Sequence, residues 1–239
     1  VPEYAISLMR DFWPGPMTLV LKRNEAKDFI TGGQDTVGIR IPAQQIALTL
    51  LKEFELIGGH GVAAPSANRF GAVSPTTAKA VEEEIGERLS ETDQILDGGP
   101  CLVGVESTII DCTGEAPRIL RPGAITEEMV ESSTRLQLRE RDDLIRVSGA
   151  LEKHYSPEAK VFTEGDVEVG DGFLALADIP TPAGVIRLAS PNSVEEFARI
   201  LYQSLRDADA KGLTRVKVIN PLGPGLAAAI RDRVARASR

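Results

Sequence analysis

Glu106-Ser107-Thr108-Ile109-Ile110-Asp111, followed by Arg118-Ile119-Leu120-Arg121 closed by Pro122-Gly123, decide how this chain folds. Both runs are rich in β-branched and aliphatic side chains and too short for helices, so both are predicted as strands. Working outward, Met17 to Leu21 has the same character. Thr36-Val37-Gly38-Ile39-Arg40-Ile41 alternates Val37, Ile39 and Ile41 against Thr36, Gly38 and Arg40, as a strand with two unlike faces does. Few helices separate these runs. The expected fold class is therefore α/β with α+β character, built on a mixed sheet and not on a strictly alternating parallel one.

The remaining segments fill in around this sheet. Pro2 to Phe12 places Ala5, Leu8, Met9 and Phe12 on one helical face and stops at Trp13-Pro14-Gly15-Pro16. Residues 24–35 are expected to form a loop. Gln44 to Phe54 is predicted as a helix that buries Ile46, Leu50 and Leu51. Gln94 to Leu96 is predicted as a short strand before the turn Asp97-Gly98-Gly99-Pro100. Glu131 to Arg146 is charge-rich with little periodicity and reads as a linker ending in His154-Tyr155-Ser156-Pro157. Beyond it lie strands at Phe173 to Ala177, Gly184 to Leu188 and Arg215 to Ile219. The capping box Ser193-Val194-Glu195-Glu196 opens a helix to about Lys211 with Val194, Phe197, Leu201 and Leu205 inward, and Gly223-Pro224-Gly225 leads into a last helix. Residues 1–134, a linker over 135–159 and a small α/β domain over 160–239 are the expected divisions.

Composition excludes several classes of function. At 239 residues with 42% hydrophobic and 26% charged side chains, the chain can bury a sizeable core, and no apolar run approaches the ~20 residues that span a bilayer. The net charge of −8 argues against broad nonspecific attachment to nucleic acid. Cys101 and Cys112 form neither a metal spacing nor a disulfide framework, which favours a reducing cytoplasm. With His60 and His154 the only histidines, a histidine metal site is not expected.

Chemistry is expected first in the turn Ala63-Ala64-Pro65-Ser66-Ala67-Asn68-Arg69-Phe70-Gly71-Ala72-Val73-Ser74-Pro75-Thr76. Ser74 is predicted as an N-cap with Pro75 at the first helical position, leading a helix from Thr77 to Leu89. A small-residue turn at a helix N-terminus offers N–H groups to an anion; a loop whose serines only cap is an equally good reading of this stretch alone. Arg40 carries a planar bidentate fork in an otherwise apolar strand, where an exposed strand face is the alternative. Arg121, held by Pro122-Gly123, is a second candidate clamp for phosphate. Ser107 and Thr108 add hydroxyl groups, whereas Lys79, Arg69 and Arg88 read as surface. No Ser-His-Asp, Cys-His or metal constellation is evident, so positioning and charge neutralisation are favoured over covalent catalysis.

Phe12-Trp13-Pro14-Gly15-Pro16-Met17-Thr18-Leu19-Val20-Leu21 resembles the signature of the YrdC/TsaC family, the L-threonylcarbamoyladenylate synthases. So do Thr36 to Pro42, Ala63 to Asn68 with Ser74-Pro75-Thr76, Glu106 to Asp111, and Ile119 to Gly123, all in the family's order. The linker and the domain after it resemble the longer two-domain form. The resemblance implies a YrdC-like twisted mixed sheet and a small Rossmann-like C-terminal domain. It implies that threonine, bicarbonate and ATP, with Mg²⁺, yield threonylcarbamoyl-AMP and pyrophosphate. Partner proteins would then pass the threonylcarbamoyl group to tRNA; weak RNA binding is a further expected partner property, and no membrane is involved. By the same resemblance Thr36, Ser66, Ser74, Arg121 and Tyr155 bind ATP, with Tyr155 closing over the nucleotide from the lid-like linker. Arg40, Ala64 and Thr108 hold threonine. No catalytic side chain and no protein metal ligand is assigned.

The family also carries a segment ahead of the Phe-Trp-Pro-Gly-Pro motif, with a Lys/Arg-Arg-Pro element that supplies ATP contacts and a threonine-side residue. This chain begins after that point, so residues 1–239 alone are expected to be much less active than the full enzyme, or inactive. Two alternatives share the fold: a carbamoyl-transfer module and a non-catalytic RNA-binding module. The first goes with Cys-x-x-Cys pairs and an acylphosphatase-like segment not seen in this sequence, and the acidic balance weighs against the second.

Overall fold

A computed structural model describes residues 1–140 and 155–239. In chain order they form α1 (Glu3–Phe12), β1 (Met17–Lys22), the short α2 (Asp28–Thr31), β2 (Thr36–Ile39), α3 (Gln45–Leu56) and α4 (Ala78–Ile85). Next come β3 (Thr108–Asp111), β4 (Arg118–Arg121), α5 (Glu127–Thr134), β5 (Lys160–Phe162) and β6 (Gly172–Leu174). The chain finishes with β7 (Ile186–Ala189), α6 (Val194–Ala210), β8 (Arg215–Val218) and α7 (Leu226–Ala237). The described residues gather into two compact units, one from 1–65 and the stretch after 106, the other from 66–105 and the stretch to 239.

The first unit is a mixed sheet in the order β2-β1-β3-β4. β1 runs antiparallel to β2, with Lys22 opposite Thr36, and parallel to β3, with Met17 beside Thr108. β4 returns antiparallel to β3, setting Arg118 opposite Asp111 and Arg121 opposite Ile109. One face is covered by α1 and α5: Tyr4, Ala5, Leu8 and Val130 pack on Met17, Leu19, Leu21, Ile110 and Ile125. The turn from α1 into β1 is tight. Trp13-Pro14 is cis, the Gly15 N–H donates to Ile41 O (2.9 Å), and a Cβ on Gly15 would fall 2.2 Å from Phe12 O.

The second unit is a parallel four-stranded sheet in the order β5-β8-β6-β7, covered by α6 and α7. Ser193 Oγ accepts from the Glu196 N–H (3.1 Å), the capping expected from the sequence. The apolar stripe of α6 buries Phe197, Leu201 and Leu205 as its 3.6-residue period requires. Residues 66–105 join this core through Val73 and Val105. Their approach is close. Gly104 sits at φ 83° and a Cβ there would lie 2.2 Å from Arg199 Cα, so only glycine lets that loop meet α6.

Five local expectations are corrected. The loop expected over residues 24–35 contains the short helix α2, Asp28–Thr31. Ser74 does not cap α4; Thr77 does, its hydroxyl accepting from the Ala80 N–H (3.1 Å). The Cys101 N–H donates to Thr76 O (2.9 Å), and this contact holds residues 74–76 out of the helix. Gln94 to Leu96 is not a strand. Residues 127–134, half assigned to the linker, form α5, capped by Thr126 and anchored by fully buried Val130. Ile46 and Leu50 of α3 are not buried but 40% and 50% exposed. Of the linker expected over 135–159, residues 141–154, His154 among them, lie outside the described residues.

Leu8 is fully buried between α1 and the sheet, so Leu8→Ala is expected to cost about 2–5 kcal/mol. Leu50→Ala on the open face of α3 is expected to change stability by no more than about 0.5 kcal/mol. Urea denaturation of the two variants checks the contrast, and equal losses would mean that α3 is packed.

Candidate active site

In the first unit, the beginnings of β1 and β3 and the ends of β2 and β4 lie at one end of the sheet. This end gathers Arg40, Ser107, Thr108 and Arg121. Arg40 is exposed, and its Nε donates to Gly15 O (3.0 Å), which fixes the plane of the guanidinium. Arg121 is buried, 7% exposed. Its Nε and Nη2 donate to Ser107 O (3.1 and 2.9 Å) and Nη2 reaches Ser107 Oγ (3.2 Å). Ser107 Oγ also shares a hydrogen bond with Thr18 Oγ1 (2.8 Å). This hydroxyl pair was not singled out from the sequence, although Thr18 lies inside the first motif.

Thr108 is fully buried and its hydroxyl is engaged twice, donating to Ile125 O (2.8 Å) and accepting from the Ile125 N–H (3.0 Å). Its N–H donates to Pro16 O (3.0 Å). A Cβ on Gly123 would fall 2.5 Å from Thr108 N and 2.8 Å from Glu106 O. Pro122-Gly123 therefore does more than end a strand: it lets β4's exit press against the start of β3. Ala64 lies in an exposed loop of the same unit.

Thr36 stands apart, at the other end of the sheet, where it lines an open cleft of about 1520 Å³ with Lys22, Lys27, Thr113, Arg118 and Arg139. Below it, Asp111 is fully buried. Its Oδ2 accepts from Arg118 Nη2 (2.8 Å) and Arg139 Nη2 (2.7 Å), and its Oδ1 from the Thr113 N–H and hydroxyl (2.9 and 2.7 Å). Burial pushes the Asp111 carboxyl up, but the Thr113 and Arg139 hydrogen bonds and the Arg118 charge outweigh it and hold the group below the usual carboxylate range. Burial, aided by the Asp111 charge, pushes the neighbouring Cys112 thiol up to about 12. It stays protonated at neutral pH and is no nucleophile.

Ser66, Ser74 and Tyr155 belong to the second unit. Ser66 is exposed and Ser74 buried, at the two ends of the turn singled out in the sequence. Inside that turn Asn68 Nδ2 donates to Arg69 O (2.9 Å) and Ala72 O (3.1 Å). Tyr155 has φ 63° and is 1% exposed, its ring 5.5 Å from Tyr202 and 5.6 Å from the Arg233 guanidinium carbon. It is a core residue of this unit and does not face solvent.

Among the described residues, no group of His, Cys, Asp and Glu side chains could hold a metal ion, and no helix is long and apolar enough to cross a membrane. An α/β protein that gathers oriented guanidinium and hydroxyl groups at one end of a sheet has the equipment of an enzyme that binds anionic, polar small molecules. Residues 1–123 match the family model described as Telomere recombination (Sua5/YciO/YrdC), and residues 125–239 match Threonylcarbamoyl-AMP synthase, C-terminal domain. The whole chain is 35% identical to Threonylcarbamoyl-AMP synthase of Pyrococcus abyssi, covering 74% of it, and 30% identical to that of Schizosaccharomyces pombe, covering 67%. The crystal structure of P. abyssi Sua5 complexed with L-threonine matches all of this chain and 74% of that one, with a TM-score of 0.84 at 34% identity. The chain belongs to the Sua5/YciO/YrdC family.

Asp111→Asn strips a buried anion from two guanidinium groups and is expected to cost about 3–5 kcal/mol at pH 7. Because the folded carboxyl titrates below its ordinary value of 3.8, its stabilisation is present above that value and is lost as pH falls through the lower folded one. Denaturant titrations at pH 7 and below pH 3.8 check both points: the variant should lose less stability on acidification than the parent chain.

Proposed function

We propose that this chain is an L-threonylcarbamoyladenylate synthase, forming threonylcarbamoyl-AMP and pyrophosphate from L-threonine, bicarbonate and ATP for tRNA modification. The observation that carries the reading is the fixed arginine pair Arg40 and Arg121 at one sheet end. It stands in a chain whose full length is similar to a synthase solved with L-threonine. The reaction needs no nucleophilic side chain. The threonine amine bonds to the bicarbonate carbon and a carbon–oxygen bond breaks to release water, leaving a carbamate. A carbamate oxygen then attacks the α-phosphorus, and the bond to the β-phosphate oxygen breaks to release pyrophosphate. Charge shifts among phosphate oxygens throughout, and fixed guanidinium and N–H donors can offset it.

The roles follow from chemistry. Arg40 holds the threonine carboxylate, and Ala64 offers backbone where a larger side chain would intrude. Thr108 is the third threonine assignment, placed at the start of β3 with its hydroxyl engaged by Ile125. Ser66, Ser74 and Arg121 are assigned to ATP, and Thr36 with them, although Thr36 lies at the opposite end of the sheet from Arg121. Tyr155 is the remaining ATP assignment, closing over the nucleotide from the lid-like linker, and its ring, 1% exposed, would have to leave its packing on Tyr202 to do so. The catalytic part, lid and C-terminal domain are taken as 1–134, 135–159 and 160–239. Mg²⁺ would be carried on the ATP phosphates, where it would offset their charge. Transfer proteins acting on tRNA would consume the product, and a reducing cytoplasm suits the thiols Cys101 and Cys112.

Pyrophosphate release that requires threonine, bicarbonate and ATP together tests the activity; release indifferent to threonine would sink it. Losing a hydrogen bond to a charged group costs about 1.5–3 kcal/mol, so Arg40→Ala is expected to raise the threonine KM about 10- to 100-fold. Arg121→Lys keeps the charge but loses the fork, and is expected to act on ATP instead.

A further inference from the structure

The turn that bears Ser66 and Ser74 is not held by its own residues alone. Glu84, near the end of α4 and 8% exposed, accepts from Arg69 Nε (3.1 Å) and, more weakly, from the Arg69 N–H (3.5 Å). The same carboxylate accepts from Arg206 Nη1 (2.9 Å), a residue of α6 lying 122 positions further along the chain. Arg206 Nη2 donates to Val73 O, immediately before Ser74. A third tie is the Ser156 N–H to Gly71 O (3.0 Å). Arg69, Gly71 and Val73 are thus each fastened, directly or through Glu84, to residues of the C-terminal part. All of these contacts lie within one compact unit.

We propose that Arg206 is a positioning residue for the Ser66–Ser74 turn, and that holding this turn is a function of the C-terminal domain. The geometry favours arginine. One planar fork meets a carboxylate and a carbonyl at once, and a lysine ammonium at the end of a flexible stem keeps the charge but not both directions. The pair is largely shielded, Arg206 at 12% and Glu84 at 8% side-chain exposure, which limits the competition from water. Burial pushes the Glu84 carboxyl up, yet the hydrogen bonds from Arg69 and Arg206 outweigh it and hold the group below the usual carboxylate range. Glu84 therefore remains an anion, able to link Arg206 to Arg69. The packing agrees: Val73 sits in the same core as Phe197, Leu201 and Leu205 of α6. A turn whose carbonyls are held this way keeps Ser66 and Ser74 in one arrangement before a ligand arrives, so binding spends less on ordering.

The consequence for ATP rests on the function proposed above; the consequence for the turn does not. Arg206→Gln, Arg206→Lys and Glu84→Gln are compared with the parent chain by amide hydrogen exchange and by KM for each substrate. Expected in Arg206→Gln is at least ~10-fold faster exchange over residues 69–76, with β8 and the far half of α6 unchanged, and a KM for ATP raised about 10-fold at unchanged KM for threonine (tenfold being ~1.4 kcal/mol, less than a buried charged contact supplies). Arg206→Lys should recover part of both effects, and Glu84→Gln should resemble Arg206→Gln over residues 69–73. Unchanged exchange over 69–76, or loss of protection spread evenly through the unit, would overturn the proposal. So would constants for ATP and threonine that move together. If turnover is present but indifferent to threonine, the proposed function fails while the exchange data still decide the role of Arg206. Should Arg206→Gln not fold, the lysine and Glu84 variants carry the same comparison.

Discussion

Short strands leave long connections, and the carbonyl oxygens of those connections need donors that no ladder provides. In this chain arginine guanidinium groups supply them. Arg40 donates to Gly15 O, Arg121 to Ser107 O, Arg139 to Ala116 O, Arg206 to Val73 O and Arg231 to Pro221 O. A buried carbonyl without a partner costs as much as a lost hydrogen bond, so each fork stabilises the loop it enters. The planar group also transmits direction: a loop carbonyl fixes the fork, and the fork fixes the loop. Both arginines assigned to substrates are positioned in this way, and so is the turn that carries the serines.

The architecture was legible because it rests on local signals. β-Branched runs mark the strands of the first sheet, and a capping box with a 3.6-residue stripe marks α6. Legibility fails where a distant contact overrides a local preference. Ser74-Pro75 is a sound helix entrance by itself, but the Cys101 N–H claims Thr76 O and moves the cap to Thr77. α5 was half hidden because Glu127–Thr134 is mostly Glu, Ser and Thr, with buried Val130 as its single deep anchor. The stripe of α3 is real in sequence, yet Ile46 and Leu50 stay 40% and 50% exposed.

The site divides along the same line. Arg40 and Arg121 could be singled out because one is the cation of an otherwise apolar strand and the other stands directly before Pro122-Gly123. Their partners could not. Whether Thr108 offers its hydroxyl outward or spends it on Ile125 depends on a segment 17 residues away. The Asp111 cluster draws on Arg139, 28 residues distant, and the Glu84 link on Arg206, 122 residues distant. Spacing rules reach about one helical turn or one hairpin, so such pairs carry no local periodic signal.

The C-terminal sheet bears on the role given to Arg206. In open parallel α/β sheets, ligands settle beyond the carboxyl ends of the strands. Here cations from the sheet itself bind main-chain oxygens at those ends. Lys217 donates to Thr163 O and Gly165 O just past β5 (both 2.9 Å), and Arg187 to Ala175 O and Leu176 O just past β6 (2.7 and 2.8 Å). Charges that would otherwise receive a phosphate are committed to the chain's own carbonyls, stacked in part on Phe162 and Phe173. An end bonded in this way is rigid. Rigidity is what a holding element needs, because Arg206 can orient the Ser66–Ser74 turn only as well as α6 itself is fixed.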